Sequence, residues 1–145
     1  MKRTSFVVSL ATLAVLVMAS AVQAAAPSTS FNGTWVGYDV SPVFGGDGST
    51  EHLVVKGGGN ARVDWEDEFG AVCWDNGATD FWLATTLSGV VNGNTMTGTF
   101  KSAKCGRMSL SWMKGQTMTW TFDSKGNSDP SDDTLFDGVV TWHRV

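Results

Sequence analysis

The sequence predicts an all-β protein: a single antiparallel up-and-down β-barrel of about eight strands. Three observations support this fold class. After residue 24, no stretch of ten or more residues has the apolar spacing of an amphipathic helix. Short runs with alternating apolar and polar residues dominate instead, and Gly, Asn, Asp and Ser separate them. A meander of such strands has two unpaired edges, and closing the first strand onto the last strand removes both.

The first 24 residues predict a signal peptide. Lys2 and Arg3 precede an apolar run over residues 6–18, and the small residues Val22 and Ala24 stand where a signal peptidase reads the chain. A transmembrane anchor needs roughly 20 uninterrupted apolar residues, and polar residues shorten this run. We therefore expect a secreted or periplasmic protein, with no membrane insertion once the leader is removed.

The mature chain has the size of one domain. We expect residues 25–30 to form a flexible N-terminal segment and residues 31–145 to form the barrel domain, which can bury about two thirds of its unfolded surface. The leader holds two of the ten basic residues and no acidic residue, so its removal changes the net charge from −4 to about −6. This charge argues against nucleic acid and anionic lipid as main partners, because both demand clustered cations. The oligomeric state is left open.

Alternation and turn residues define nine candidate strands. They cover residues 31–39, 51–56, 61–66, 71–74, 81–91, 95–101, 107–113, 116–123 and 138–145. A two-residue turn at 93–94 would set Val91 opposite Met96 and Leu87 opposite Phe100, which brings apolar side chains together on one face.

The following hairpin is predicted to have a loop with an odd number of residues around 114–115. Such a loop would pair Trp112 with Met118 and Leu110 with Trp120. A two-residue loop would instead place Trp112 opposite a threonine. We expect the odd-numbered loop because it keeps the apolar side chains together on the face of the sheet that is buried from water.

Cys73 and Cys105 are the only cysteines, and both lie in the exported part of the chain. An even count in an oxidising compartment predicts one disulfide, which would contribute roughly 3–4 kcal/mol on the chain-entropy estimate. The sequence has no C-x-x-C motif, and His52 and His143 lie far from either cysteine. We therefore expect neither a metal nor a cofactor.

The two ends of the mature chain carry residues that suit closure of the barrel. Gly33 allows close approach at the barrel end, Trp35 would plug that end, and the Arg144 guanidinium could lie over the indole. Such a contact is worth roughly 0.5–2 kcal/mol, depending on burial.

Gly33-Thr34-Trp35 near the start, Arg144 near the end and the length of one small barrel resemble the calycin superfamily. That superfamily comprises lipocalins, fatty-acid-binding proteins and avidins, and the resemblance implies an up-and-down barrel with a ligand cavity inside. The sequence is also similar to small exported bacterial domains described as lipocalin-like. It departs from lipocalins in having no Thr-Asp-Tyr-like turn in mid-chain, and from avidins in lacking their tryptophan pattern. No ligand residue is therefore carried over from either family.

Large apolar side chains in phase with strand alternation are expected to fill the barrel interior. They could pack solidly or could line a pocket for an apolar ligand. We expect a non-enzymatic binding module that holds a small apolar or amphipathic molecule inside the barrel. The candidate cavity residues are Trp65, Leu83, Leu87, Phe100, Leu110, Trp112, Met118 and Trp120.

Two further tryptophans suggest a competing function, surface recognition by a barrel with a solid core. Trp82 lies between two apolar residues and should point outward, and Trp74 lies across a short polar loop. With Asp75 and Asp80 beside them, the two indoles would suit stacking on a sugar face. A carbohydrate-binding or protein-inhibiting domain is therefore the alternative, with a glycan as the partner in the first case.

A third possibility is a hydrolase built on the carboxylates of residues 64–68. Paired carboxylates can perform general acid–base catalysis on glycosidic bonds. A charge run at the end of a hairpin is usually solvated, however, and both histidines alternate away from neighbouring apolar residues. We therefore favour a protein without enzymatic activity.

Overall fold

The structure, a computed structural model, describes residues 30–40 and 48–145. The predicted signal peptide and residues 25–29 lie outside the described residues, so the leader stays a prediction. In the described part, the strands are β1 (Gly33–Asp39), β2 (Ser49–Gly57), β3 (Asn60–Asp67), β4 (Leu83–Asn92), β5 (Thr95–Cys105), β6 (Met108–Ser109), β7 (Thr117–Asp123), β8 (Thr134–Phe136) and β9 (Thr141–Arg144). A short helix, α1 (Ala71–Asp75), connects β3 to β4.

Eight of these strands close into an antiparallel barrel, as predicted. Each strand from β1 to β5 pairs with the one that follows it in this series, and β5 also pairs with β7. Strands β7, β8 and β9 continue the ring, and β9 returns to β1 with Trp35 opposite Arg144. Closure of the ring therefore removes the two unpaired edges that an open meander would have. The small strand β6 pairs only with the end of β5.

One end of the barrel, which we call the closed pole, is sealed by residues from both chain ends. The Arg144 guanidinium carbon lies 4.2 Å from the centroid of the Trp35 ring, as predicted. Gly33 has a φ of +146°, and a Cβ there would stand 2.6 Å from Arg144 Nη1. Only glycine therefore fits beneath the guanidinium. Phe31 completes the pole by accepting a 3.0 Å hydrogen bond from Trp35 Nε1 at its carbonyl oxygen.

The middle of the barrel is filled by tryptophans packed against glycines of neighbouring strands. A Cβ at Gly98 would lie 2.8 Å from the Trp120 ring, and a Cβ at Gly37 would lie 3.0 Å from the Trp142 ring. Trp120 and Trp142 are completely buried, as is Trp35 at the closed pole. Large and small residues therefore interlock and pack this level of the barrel densely.

The β4–β5 hairpin has the predicted register. Val91 lies opposite Met96, and Leu87 lies opposite Phe100. Beyond Leu87 a bulge shifts the register, and β5 continues to Cys105, further than the sequence predicted. The extra length pairs with the start of β4 and with β6, whereas β7 pairs with residues 95–99 of β5.

Two of the candidate strands are wrong. Residues 71–74 belong to α1, because the amides of Cys73 and Trp74 donate to the Gly70 carbonyl oxygen instead of to a neighbouring strand. Residues 107–113 form β6 and a single 3₁₀ turn, Ser111–Met113.

The predicted pairing of Trp112 with Met118 and of Leu110 with Trp120 is also wrong. Strand β7 pairs directly with β5, which sets Met96 opposite Trp120 and Gly98 opposite Met118. Trp120 thereby gains the space over Gly98 that the predicted hairpin could not offer. The sequence also missed β8, whose three residues are too few to show alternation.

The predicted disulfide is present. Cys73 and Cys105 are bonded with their Cα atoms 5.6 Å apart, and both side chains are buried. The bond links α1 to the last residue of β5. No helix within the described residues has the length and apolar character needed to cross a membrane.

Candidate ligand site at the open end of the barrel

The end of the barrel opposite the closed pole holds a cavity of about 260 Å³, which we call the open-end cavity. β1 and β3 end there, β2 and β4 begin there, and α1 forms part of the rim. Its described lining residues are Asp39, Glu51, Trp65, Asp67, Ala71, Val72, Leu83, Met118, Asp137, Val139 and Val140. Four of these are carboxylates and the rest are apolar or aromatic, so the cavity is amphipathic.

Glu51 is the most deeply placed of the four acids. It follows the same alternation as Leu53 and Val55 on β2, which points it into the barrel, and only 4% of its surface is exposed. Trp65 Nε1 donates a 3.0 Å hydrogen bond to Glu51 Oε2. Burial, followed by the charge of Asp67, raises the pKa of Glu51 to about 8. Near neutral pH this carboxyl is therefore mostly protonated.

Asp67 ends β3 beside Glu51 and is firmly held. Its Oδ1 accepts hydrogen bonds from Ser49 Oγ at 2.6 Å and from the Phe69 amide at 2.9 Å. Ser49 and Asp67 are both buried. The pair ties the start of β2 to the end of β3, and it fixes a carboxylate in the cavity wall.

Asp137 and Asp39 complete the acidic lining. Asp137, in the β8–β9 loop, accepts hydrogen bonds from the amides of Val139 and Val140 and from Trp142 Nε1. Asp39 ends β1, and burial raises its pKa, with further contributions from Asp67 and Asp137. The four acids come from four different elements and face a shared space, and the charges of Asp67 and Asp137 oppose the ionisation of Glu51 and Asp39.

Contacts with neighbouring residues hold the apolar wall of the cavity in place. The Trp65 ring packs against Phe100 with centroids 6.1 Å apart, and its indole nitrogen is held by Glu51. Val72 lies on α1, directly before the disulfide-bonded Cys73. The disulfide therefore holds this part of the rim in position, in addition to linking α1 to the end of β5.

The predicted cavity residues fall into three groups. Trp65, Leu83 and Met118 line the open-end cavity. Trp112 lies on the 3₁₀ turn after β6 and is half-exposed. The remaining four are buried in the core: Leu87, Phe100, Leu110 and Trp120.

Sequence reasoning missed Asp39, Glu51 and Asp137, and it placed Asp67 in a solvated turn. The signal for Glu51 was its phase with Leu53 and Val55, and the signal for Asp67 was its phase with Val63 and Trp65. The other acids of residues 64–68 point away from the cavity. Hydrogen bonds from Arg62 hold the pKa of Asp64 below its usual range, whereas a general acid needs a raised one.

The residues of the predicted surface site lie outside the barrel. Trp82 is 42% exposed next to the buried Leu83, as the alternation predicted, and Trp74 is 53% exposed on α1. Trp74 packs against Phe81 with ring centroids 5.4 Å apart. Asp80 accepts a hydrogen bond from the Trp82 amide and lines a wide cleft of about 560 Å³ beside Cys105. Asp75, at the end of α1, is exposed.

Among the described residues, no group of three or more His, Cys, Asp or Glu side chains is arranged to hold a metal ion. Comparison with known proteins found no matching family model, no significantly similar curated protein and no significantly similar solved structure. The eight-stranded closed antiparallel barrel is compatible with a calycin-type fold.

Proposed function

We propose that this protein is an exported, non-enzymatic binding module that holds a small amphipathic molecule in the open-end cavity. The observation that carries the proposal is the contrast between the two ends of the barrel. Trp35 and Arg144 seal the closed pole, whereas the opposite end offers a concave site with apolar walls and buried carboxylates. Sites of this composition, at the mouths of barrels, are typical of ligand-binding proteins.

The calycin resemblance agrees with this proposal, because ligands of such barrels enter at one end. Trp120 and Trp142 fill the middle of the barrel, so the space left for a ligand is at the open end. The size of the cavity, about 260 Å³, suits a ligand smaller than a drug-sized molecule, since pockets for those span roughly 300–1,000 Å³.

A tryptophan at position 71 should abolish binding by filling the cavity. Ala71 is half-buried on the rim, so a larger side chain there enters the cavity without displacing a core residue. We expect the fluorescent neutral amphiphile N-phenylnaphthylamine to bind the mature protein, and Ala71→Trp to weaken that binding by about tenfold or more, equivalent to about 1.4 kcal/mol. Fluorescence titration measures the affinity.

Val90→Trp is the matched control, because Val90 is exposed on the outer surface of β4. It adds the same side chain away from the cavity and should leave the affinity unchanged. If the dye bound Ala71→Trp as tightly as the wild type, or if neither the dye nor any other small amphiphile bound, the proposed site would be wrong. Circular dichroism on each variant verifies that the barrel is folded.

Surface recognition of a glycan is the second candidate, favoured by the exposed rings of Trp74 and Trp82. On this alternative, Trp82→Ala abolishes retention of the protein on insoluble glycans. The outward position of Trp82 means that its removal leaves the core intact. A pull-down assay measures retention, and Ala71→Trp serves as the control that should bind like the wild type. Retention that survives Trp82→Ala would exclude this surface.

A further inference from the structure

Among the described residues, the charged side chains that line the open-end cavity are all acidic. Asp39, Glu51, Asp67 and Asp137 face it from β1, β2, β3 and the β8–β9 loop. No Lys, Arg or His is among its described lining residues. A cavity lined by one sign of charge within low-dielectric walls attracts ligands of the opposite sign.

Glu51 adds a second, independent observation. More than nine tenths of this residue is buried, and it lines the cavity. Its Oε2 accepts the hydrogen bond from Trp65, but its Oε1 accepts none from the described residues. This oxygen is not one of the buried atoms left without a partner, so it keeps the capacity to accept a hydrogen bond from a ligand in the cavity, and a charged donor would make that bond a strong one.

Asp67 is placed in a similar way. Both of its hydrogen bonds, from Ser49 and from the Phe69 amide, end on Oδ1. Its Oδ2 therefore retains capacity to accept a hydrogen bond. Glu51 and Asp67 are register partners on adjacent strands, so their side chains leave the sheet side by side.

We infer that the ligand of the open-end cavity carries a protonated amine beside a small apolar body. This inference rests on the proposed function and adds the chemical class of the ligand. The ammonium group donates hydrogen bonds to Glu51 and Asp67, with Asp39 and Asp137 supplying further negative charge. The apolar body packs on Trp65, Val72 and Met118. Charge-assisted hydrogen bonds of this kind are roughly twice as strong as neutral ones.

The neighbouring acids also give the binding a pH dependence. Asp67 on β3, Asp137 in the β8–β9 loop and Asp39 on β1 all oppose the ionisation of Glu51, and Trp65 is its only described hydrogen-bond donor. A bound ammonium favours the ionised form. Its affinity should therefore rise as the pH rises through about 8, the pKa of Glu51 in the free protein. An aliphatic ammonium stays largely charged over this range.

Three probes with one apolar body test the inference: phenethylammonium, phenethyl alcohol and phenylpropanoate. They differ only in whether the head group is positive, neutral or negative. Isothermal titration calorimetry on the wild-type mature protein measures each affinity. We expect phenethylammonium to bind about tenfold more tightly than the alcohol, and phenylpropanoate to bind most weakly. We also expect the phenethylammonium affinity to increase between about pH 6 and pH 9.

Glu51→Gln keeps the shape of the side chain and an acceptor for Trp65, but removes the titrating proton. It should abolish the pH dependence and most of the preference for the ammonium probe. Glu66→Gln is the matched control, because Glu66 lines a cleft on the outer face of the sheet and should leave both unchanged.

The outcomes separate this inference from the proposed function. If the alcohol or the anion binds as tightly as the ammonium, and Ala71→Trp weakens that binding, the cavity binds ligands but the inferred charge is wrong. If none of the three probes binds and N-phenylnaphthylamine does not bind either, both proposals fail. The comparison of probes on the wild-type protein requires no variant to fold.

Discussion

Arg144→Leu is expected to lower the free energy of unfolding by about 3–5 kcal/mol, because it leaves a buried charge without its partner. Arg144 Nη2 lies 3.0 Å from Asp133 Oδ2, and the two side chains are only 16% and 6% exposed. The same guanidinium donates to the carbonyl oxygens of Ser30 and Asn32 and covers the Trp35 ring. One side chain therefore joins the first strand, the last strand and the segment before β8.

Chemical denaturation followed by tryptophan fluorescence measures this loss. Arg62→Leu is the matched control, because Arg62 pairs with Asp64 on the exposed surface and should lose less than about 1 kcal/mol. The double variant Arg144→Leu, Asp133→Leu should lose less stability than Arg144→Leu alone, since it removes the unpaired acid as well. If Arg144→Leu were no more destabilising than Arg62→Leu, the closed pole would not depend on this buried pair.

The closure of the barrel could be predicted from the sequence because its evidence lies in local pattern. The β4–β5 hairpin shows strict alternation around a two-residue turn, which fixes both strands and their register. The meeting of Trp35 and Arg144 followed from closing the first strand onto the last. These features depend on period and turn chemistry, which neighbouring residues determine.

Elements that depend on distant partners could not be predicted. Residues 71–74 are too few to show a helical period, and their conformation follows from the chain reversal between β3 and β4 and from the bond between Cys73 and Cys105. Strand β8 has three residues and is defined only by its pairing with β7 and β9. The partner of β7 is β5 rather than the preceding segment, a choice between edges that alternation does not make.

The apolar residues Trp65, Leu83 and Met118 of the candidate site were predicted, but its acids were missed, for a different physical reason. Acidic residues are expected at the surface because burying a carboxyl group is costly. Glu51 and Asp67 are nevertheless in phase with the buried residues of their strands. Residues that oppose the general pattern in this way are often functional. Asp137 could not be assigned from sequence at all, because its place at the cavity follows from the β8–β9 loop.

The second large effect is a loss of stability with rising pH that Glu51→Gln removes. The pKa of Glu51 is about 8 in the folded protein, compared with 4.5 for an ordinary glutamate. Between these values the folded protein holds a proton that the unfolded chain has released. The stabilisation is therefore complete below about pH 4.5 and is lost as the pH rises to about 8, at up to about 1.4 kcal/mol per pH unit.

Denaturation midpoints measured from about pH 5 to pH 9 test this prediction. The window lies above the range in which acids with lowered pKa values, such as Asp64, titrate. The wild-type free energy of unfolding should fall by a few kcal/mol across it. Glu51→Gln imitates the protonated side chain and should give a flatter profile, so that it becomes more stable than the wild type at the alkaline end.

Glu66→Gln provides the comparison, because it removes a carboxyl from the outer face of β3, the strand adjacent to Glu51, and should retain the slope of the wild type. A wild-type profile that is flat or rises from about pH 5 to pH 8 would contradict the inward placement of Glu51 beside Asp67, Asp39 and Asp137. That placement also underlies the inferred preference for an ammonium ligand. A saturating concentration of phenethylammonium should accordingly reduce the loss of stability at high pH, since it binds the ionised carboxylate of the folded state and stabilises that state by mass action.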